Sequence, residues 1–124
     1  ANASVTLPIG ENRKNEWVIS RFAMSKECVR YVMGEFFMLD SGFTINIKQE
    51  HQSYLDKDYV GHCLLGLQSE IYNTGRGMAQ KNIDIARFRE IKIPVPPLVD
   101  QKRIVAKTTQ LLNLVSELEA HLEK

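Results

Sequence analysis

The sequence predicts an α+β protein, in which a small mixed α/β body is followed by a long C-terminal helix of the coiled-coil type. Short apolar runs separated by turn residues fill most of the chain, and one uninterrupted helical periodicity follows them. Between the two parts, residues 94–97 contain three prolines, which fix φ and lack backbone donors, so neither a helix nor a central strand can pass through. We therefore predict a body over residues 1–98 and a helix over residues 99–124, with Asp100 as its cap.

Strand signals dominate the first half of the body. Trp17–Ile19 is a short strand candidate, whereas residues 29–33 fit a helix or a strand equally well. Residues 43–48 alternate between apolar and polar side chains, as a half-buried antiparallel strand does. The apolar run at residues 35–39 is followed by Asp-Ser-Gly at 40–42, which predicts a hairpin between this run and the alternating strand.

Helical signals dominate the second half of the body. Residues 53–67 place Leu55, Tyr59 and Cys63 on one side at spacings near four, which predicts a helix. Residues 68–72 fit either a continuation of that helix or a strand.

The C-terminal helix carries an apolar seam in which spacings of four and three alternate, as in the a and d positions of a coiled coil. Its members are Ile104, Thr108, Leu111, Val115, Leu118 and Leu122. A helix of about 20 residues is about 30 Å long, more than a body of this size covers unless the helix folds back fully. Two interpretations stay open: the seam binds a partner helix, or it packs onto the chain's own body.

Composition places the chain among ordinary single-domain globular proteins, with 124 residues, 44% hydrophobic and 25% charged. No apolar run is long enough to span a bilayer and the start resembles no signal peptide, so we expect a cytoplasmic protein with Cys28 and Cys63 reduced. A net charge of +1 does not by itself indicate nucleic-acid binding. Residues 73–92, however, contain five basic and two acidic side chains.

A loop within this basic segment is the best candidate for contact with a ligand. Two glycines, Gly75 and Gly77, flank an arginine and allow the backbone to approach phosphate closely. Arginine binds phosphate or the guanine O6/N7 edge, and glutamine pairs with the adenine N6/N7 edge. The candidate DNA-binding residues are Arg76, Gln80, Lys81 and Asn82, with the polar strand positions Thr44, Asn46 and Lys48 as a second set. An ordinary solvated loop is the alternative.

No arrangement in the sequence predicts catalysis, a metal site or a cofactor. His62 and Cys63 are adjacent and would diverge by about 100° on a helix, and no second Cys/His pair completes a zinc site. Asp56 and Asp58 also diverge, and no glycine-rich cofactor loop of a methyltransferase follows a strand. We expect a protein without catalytic residues.

The segment that joins body and helix has the pattern I-x-I-P-x-P-P-L-x-x-Q-x-x-I-V. Its fixed positions are Ile91, Ile93, Pro94, Pro96, Pro97, Leu98, Gln101, Ile104 and Val105. The pattern resembles the end of a target recognition domain in the DNA specificity subunits of type I restriction-modification systems. Asp100 departs from the glutamate more usual before the Gln. The resemblance is strongest over residues 54–112 and weak before residue 40.

This resemblance implies a sequence-specific, non-catalytic DNA-binding subunit that directs a methyltransferase (M) subunit and a restriction/translocase (R) subunit. It also implies that residues 1–98 are a target recognition domain, incomplete at its N-terminus, and that residues 99–124 begin a conserved-region helix serving as spacer and dimerisation element. A complete specificity subunit has two such domains, so the chain would be a fragment or a half-subunit that forms a homodimer. Two alternatives remain: a recognition domain cut from a fused restriction or methylation enzyme, and a protein-interaction module that acts through its helix.

Overall fold

The computed structural model of the chain describes residues 3–6, 11–38 and 42–122. The strands are β1 (Ala3–Thr6), β2 (Glu11–Ser20), β3 (Val29–Met38) and β4 (Gly42–Ile47). A 3-10 turn at Gln49–His51 precedes the helices α1 (Lys57–Gly66), α2 (Gln68–Asn73), α3 (Ile85–Arg89) and α4 (Leu98–Leu122). The predicted α+β class with a long C-terminal helix is confirmed. The domain boundary between residues 98 and 99 stays a prediction.

The four strands form one antiparallel sheet in the order β1-β4-β2-β3. The predicted hairpin between residues 35–39 and 43–48 is therefore wrong, because β2 lies between β3 and β4. Strand β3 instead pairs with the strand that precedes it in the chain, from Glu11↔Met38 to Ile19↔Val29. The non-local pairing is that of β4 with β2, which turn chemistry alone cannot exclude. The proposed turn residues Asp40 and Ser41 lie outside the described residues.

The ambiguous residues 29–33 belong to β3, and a bulge interrupts its pairing with β2. The register shifts between Lys14 and Glu16, with Asn15 at φ 53° and Gly34 at φ 78°. The Asn15 side-chain Oδ1 accepts a 2.6 Å hydrogen bond from the Gly34 backbone N–H. Asparagine and glycine are the residues that tolerate positive φ, so they suit a bulge here.

The core forms where α1 and α2 pack against one face of the sheet. Trp17 of β2 is 4% exposed, and its indole N–H donates a 3.0 Å hydrogen bond to Asp58 of α1. A Cβ on Gly61 would lie only 2.2 Å from the Trp17 ring, so glycine is required for this close approach. Helix α1 starts four residues later than the sequence suggests, because Asp56 caps it by accepting a 2.9 Å hydrogen bond from the Tyr59 N–H.

The segment between α3 and α4 is held against α1 at several points. Ile91 and Ile93 pack on the core, and the Tyr59 hydroxyl donates a 2.7 Å hydrogen bond to the Pro94 carbonyl. Helix α4 begins at Leu98, which places Asp100 inside the first turn. The prediction that Asp100 caps this helix is therefore wrong.

Gln101 links α4 to the body and is completely buried. Its Oε1 accepts a 2.8 Å hydrogen bond from the Asp56 backbone N–H. Its Nε2 donates to the carbonyls of Tyr54 and Pro96 at 2.7 and 2.8 Å. One side chain therefore joins the residues before α1, the proline segment and the start of α4.

Candidate nucleic-acid interface

Two loops that are far apart in sequence lie side by side and form one surface. Residues 21–27 connect β2 to β3, and residues 74–84 connect α2 to α3. The Met24 N–H donates to the Lys81 carbonyl at 2.7 Å, and the Ile83 N–H donates to the Arg21 carbonyl at 2.9 Å. We call these two ranges the two-loop surface.

Arg76 is held at both its backbone and its side chain. Its N–H and carbonyl pair with Asn82 at 2.8 and 2.7 Å, which closes the loop between them. Its Nε donates a 2.9 Å hydrogen bond to Asp84 Oδ2, while the side chain stays 77% exposed. Asp84 also caps α3, because its Oδ1 accepts a 3.2 Å hydrogen bond from the Arg87 N–H. These bonds, that from Arg76 first, lower the pKa of the Asp84 carboxyl.

The other residues predicted in this loop differ in whether their side-chain polar groups are available to a ligand. Asn82 has a structural role, because its Oδ1 accepts a 3.2 Å hydrogen bond from the Ala23 N–H. The Lys81 ammonium lies 4.8 Å from the centroid of the Tyr72 ring, within cation–π range. Gln80 is exposed. Gly77 has φ 109°, and a Cβ there would lie 2.1 Å from the Gln80 carbonyl oxygen, so this tight turn requires glycine.

Residues 21–27 contribute basic and aromatic side chains that were not predicted from the sequence. Arg21 stacks over Phe22, with Cζ 4.6 Å from the ring centroid, and Lys26 of the same loop is exposed. Phe22 is 44% exposed, and Met78 of the second loop is fully exposed. With the exposed side chains of α3, the basic set is Arg21, Lys26, Arg76, Lys81, Arg87 and Arg89, against the acidic residues Glu27, Asp84 and Glu90. Arg21 and Lys26 are visible in the sequence as basic residues of a loop, but no sequence pattern links that loop to residues 74–84.

The second predicted set, on β4, does not form a continuous exposed face. Thr44 is completely buried, and its partner in β2, Val18, is 3% exposed. The prediction that Thr44 lines a DNA-facing surface is therefore wrong: the sheet is covered on both faces at this interior strand. Asn46 is half-buried, and Lys48 is exposed just beyond the strand's end. Asn46 on β4 and Lys48 after it belong to a different part of the sheet from β2, which leads into the two-loop surface.

Helix α4 changes character along its length. Its first turn is held by Gln101, whereas every residue from 109 to 122 is exposed. The exposed fractions of the predicted seam rise from 42% at Ile104 to 85% at Leu122. Thr108 is half-buried, and the remaining members, Leu111, Val115 and Leu118, are 50–63% exposed. The seam beyond Thr108 is not covered by the described part of the body.

The histidine and cysteines that the sequence left without a chemical role lie in structural surroundings. The His62 ring packs edge-on to Trp17, with centroids 5.0 Å apart, and burial lowers its pKa. Cys28 and Cys63 are free thiols whose pKa values burial raises. Within residues 3–6, 11–38 and 42–122, no cluster of three or more His, Cys, Asp or Glu side chains could hold a metal ion. No described helix is long and apolar enough to cross a membrane.

A family model for the type I restriction modification DNA specificity domain matches residues 15–124, which is most of the chain. The chain belongs to this family. The specificity domain also resembles the solved S subunit of a type I restriction-modification system from M. genitalium, with 24% sequence identity and a TM-score of 0.67. At that identity the likeness shows the fold alone. No curated protein gives a significant match.

The match to the M. genitalium subunit covers 90% of this chain and 30% of that one. The specificity domain therefore spans less than a third of that subunit's length. The family match begins within β2 and runs through α4, so α4 and the body from residue 15 onward fall within the matched region.

Proposed function

We propose that this specificity domain binds a defined sequence in double-stranded DNA through its two-loop surface. The main support is that backbone hydrogen bonds join residues 21–27 to residues 74–84. This contact brings together basic side chains from separate parts of a chain whose net charge is only +1. A local basic patch attracts DNA even when the whole protein is nearly neutral.

Two kinds of contact are available at this surface. Lys26 on this surface, and Arg87 and Arg89 on helix α3, which follows directly after it, are exposed charges suited to phosphate contacts, which position the protein on the duplex. Arg76 and Gln80 carry grouped donors or acceptors that suit base edges in the major groove. The exposed apolar side chains Phe22 and Met78 suit contact with bases or thymine methyl groups.

We propose that the domain itself makes and breaks no bond, and that it directs methylation and cleavage by the M and R subunits. Helix α4 supports the part of the proposal that concerns partners. Its 25 residues extend about 37 Å, and its uncovered seam suits a helix from a second recognition domain or a second copy. The helix would then set the distance between two DNA half-sites.

The test is selection from a random duplex pool, followed by a salt titration on the selected sequence, using the full-length protein in its assembled complex. We expect one enriched sequence, affinity that falls steeply with salt, and a large loss of affinity in Arg76→Ala/Lys81→Ala. A matched control is Arg103→Ala/Lys107→Ala, an exposed arginine and an exposed lysine of α4 that lie outside both candidate DNA-binding sets. We expect this control to keep the selected sequence.

Other outcomes separate the alternatives. Salt-dependent binding without an enriched sequence would contradict sequence recognition by this surface. Absence of binding at low salt would contradict the proposal and favour a protein-interaction module acting through the seam of α4. Methylation or cleavage by the isolated full-length polypeptide would indicate a recognition domain of a fused restriction or methylation enzyme.

A further inference from the structure

We propose that Arg76 recognises a guanine in the DNA target, and that Asp84 positions the guanidinium for this contact. The inference rests on the proposed function, because it needs DNA at the two-loop surface, and it adds the base that is read and the residue that orients the reader.

The geometry of Arg76 is that of a side chain ordered before any ligand arrives. Its backbone is fixed by two hydrogen bonds to Asn82, and its Nε is fixed by Asp84. Asp84 is itself immobilised, because its second oxygen caps α3 and the carboxylate is only 9% exposed. A long side chain that is already ordered loses less conformational freedom on binding.

The donors that remain on Arg76 suit a paired acceptor. Arginine has five N–H groups, one on Nε and four on the two Nη atoms. Within the described part of the chain, Nε is the atom of this side chain with a hydrogen-bond partner, and the side chain is 77% exposed. The two Nη groups can therefore donate together to guanine O6 and N7, the commonest specific arginine contact in the major groove.

Asp84 also favours a base over a phosphate as the target. A carboxylate 2.9 Å from the guanidinium offsets part of its charge, which weakens a purely electrostatic contact with the DNA backbone. It leaves the directional hydrogen bonds of the Nη groups intact. Arg89, exposed at the end of α3, is better suited to bind phosphate, since the Nε of Arg87 also lies 3.9 Å from the paired Asp84 oxygen.

The experiment measures affinity for the selected duplex after each guanine is replaced in turn by 7-deazaguanine, which lacks the N7 acceptor. The full-length protein in its assembled complex is compared with Arg76→Ala and Arg76→Lys. At one guanine we expect the replacement to weaken wild-type binding roughly tenfold and to leave Arg76→Ala nearly unchanged, with Arg76→Lys, whose ammonium can still donate to guanine, less sensitive than wild type. Arg76→Lys keeps the charge but not the planar fork, so it separates shape from charge.

Asp84→Asn tests the positioning role without removing the helix cap. The amide oxygen can still accept from the Arg87 N–H, whereas its NH2 group faces the Arg76 Nε donor and cannot bond to it. We expect the affinity of this variant to depend much less on the guanine N7 than the affinity of wild type does. Adding Arg76→Ala to Asp84→Asn should reduce that dependence no further. Glu90→Gln, the same charge change on an exposed residue at the end of α3, is the matched control and should behave as wild type.

Three other outcomes would contradict the guanine contact, the positioning role of Asp84 or the proposed function. If Arg76→Ala weakens binding to every sequence equally and reduces the salt dependence by about one phosphate contact, Arg76 binds phosphate and the guanine contact is wrong, while the proposed function stands. If Asp84→Asn keeps full sensitivity, the positioning role is wrong. If the wild-type protein selects no sequence, the proposed function itself fails, and the guanine contact fails with it.

Discussion

Gln101 at the start of α4 and Arg76 in the two-loop surface are both polar side chains held by hydrogen bonds. They differ in how many of their hydrogen-bonding groups remain available to a ligand. Gln101 is completely buried and uses its oxygen and its amide group on three backbone partners. Arg76 is 77% exposed and uses Nε on Asp84. A buried group with all its bonds made stabilises the fold, because leaving any partner unpaired is costly. An ordered group with donors still exposed is prepared for a ligand.

The largest effect is expected at Gln101. Gln101→Ala removes the three hydrogen bonds of a completely buried side chain and leaves a cavity in its place, so we expect a loss of about 3 kcal/mol or more in the free energy of unfolding, measured in urea. Gln110→Ala, the same change at an exposed position of α4, is the control and should stay within about 0.5 kcal/mol of wild type. A loss below about 1 kcal/mol for Gln101→Ala would contradict the claim that Gln101, unlike Arg76, mainly stabilises the fold.

The packing of α1 beside Gln101 gives the next largest effect. Gly61→Ala forces a Cβ to within 2.2 Å of the Trp17 ring, so we expect about 2 kcal/mol of destabilisation from overpacking. Gly66→Ala, in the same helix with open space around it, should stabilise by up to about 1 kcal/mol. Thermal unfolding of both variants checks the difference in sign, and equal effects would contradict the close approach.

The exposed end of α4 resembles Arg76 in this respect, because its apolar side chains are not covered by the described body and are available to a partner. Leu118→Glu puts a charge in the seam, so we expect association between helices to weaken about tenfold or more in sedimentation equilibrium. Asn113→Glu adds the same charge on the opposite side of the helix and should leave association unchanged. If both variants associate as wild type does, the seam is not the contact.

The smallest effect on stability is expected at Arg76. Arg76 is 77% exposed, so water screens its ion pair with Asp84, and Arg76→Ala should change the free energy of unfolding far less than Gln101→Ala does, measured in urea. The sign with pH is fixed by the lowered pKa of Asp84: the folded state holds the carboxylate more strongly than the unfolded state does. The advantage of wild type over Asp84→Asn should be full above the ordinary carboxyl pKa of 3.8 and should be lost as the pH falls from there through the lower pKa of the folded state. An advantage that grows on acidification would contradict the ion pair.

The sequence predicted features that depend on neighbouring residues and missed those that depend on distant ones. The fold class, the long helix and the proline segment follow from local periodicity and from the backbone limits of proline. The order of the sheet does not, because β3 and β4 are consecutive in sequence yet separated by β2. Thr44 looked solvent-facing for the same reason, since alternation in one strand cannot reveal what covers its second face.

The candidate site divides in the same way. Gly75, Arg76 and Gly77 could be singled out from local sequence, because glycines around a cation are a recognisable pattern. The Asp84 contact and the neighbouring Arg21 could not, since they depend on the pairing of the two loops. Gln101 was recognised within a motif, but its buried bonds to Tyr54 and Asp56, 47 and 45 residues earlier, could not be read from the sequence.

The most direct test of the central claim, that the two-loop surface contacts DNA, is ultraviolet cross-linking of the full-length protein in its assembled complex to its selected duplex, with the linked peptides identified by mass spectrometry. We expect cross-links in residues 21–27 and 74–84, with Phe22 and Met78 as exposed acceptors, and their loss when an unselected duplex is used. Cross-links confined to the end of β4, at Asn46 and Lys48, or to α4 would contradict the assignment of the two-loop surface.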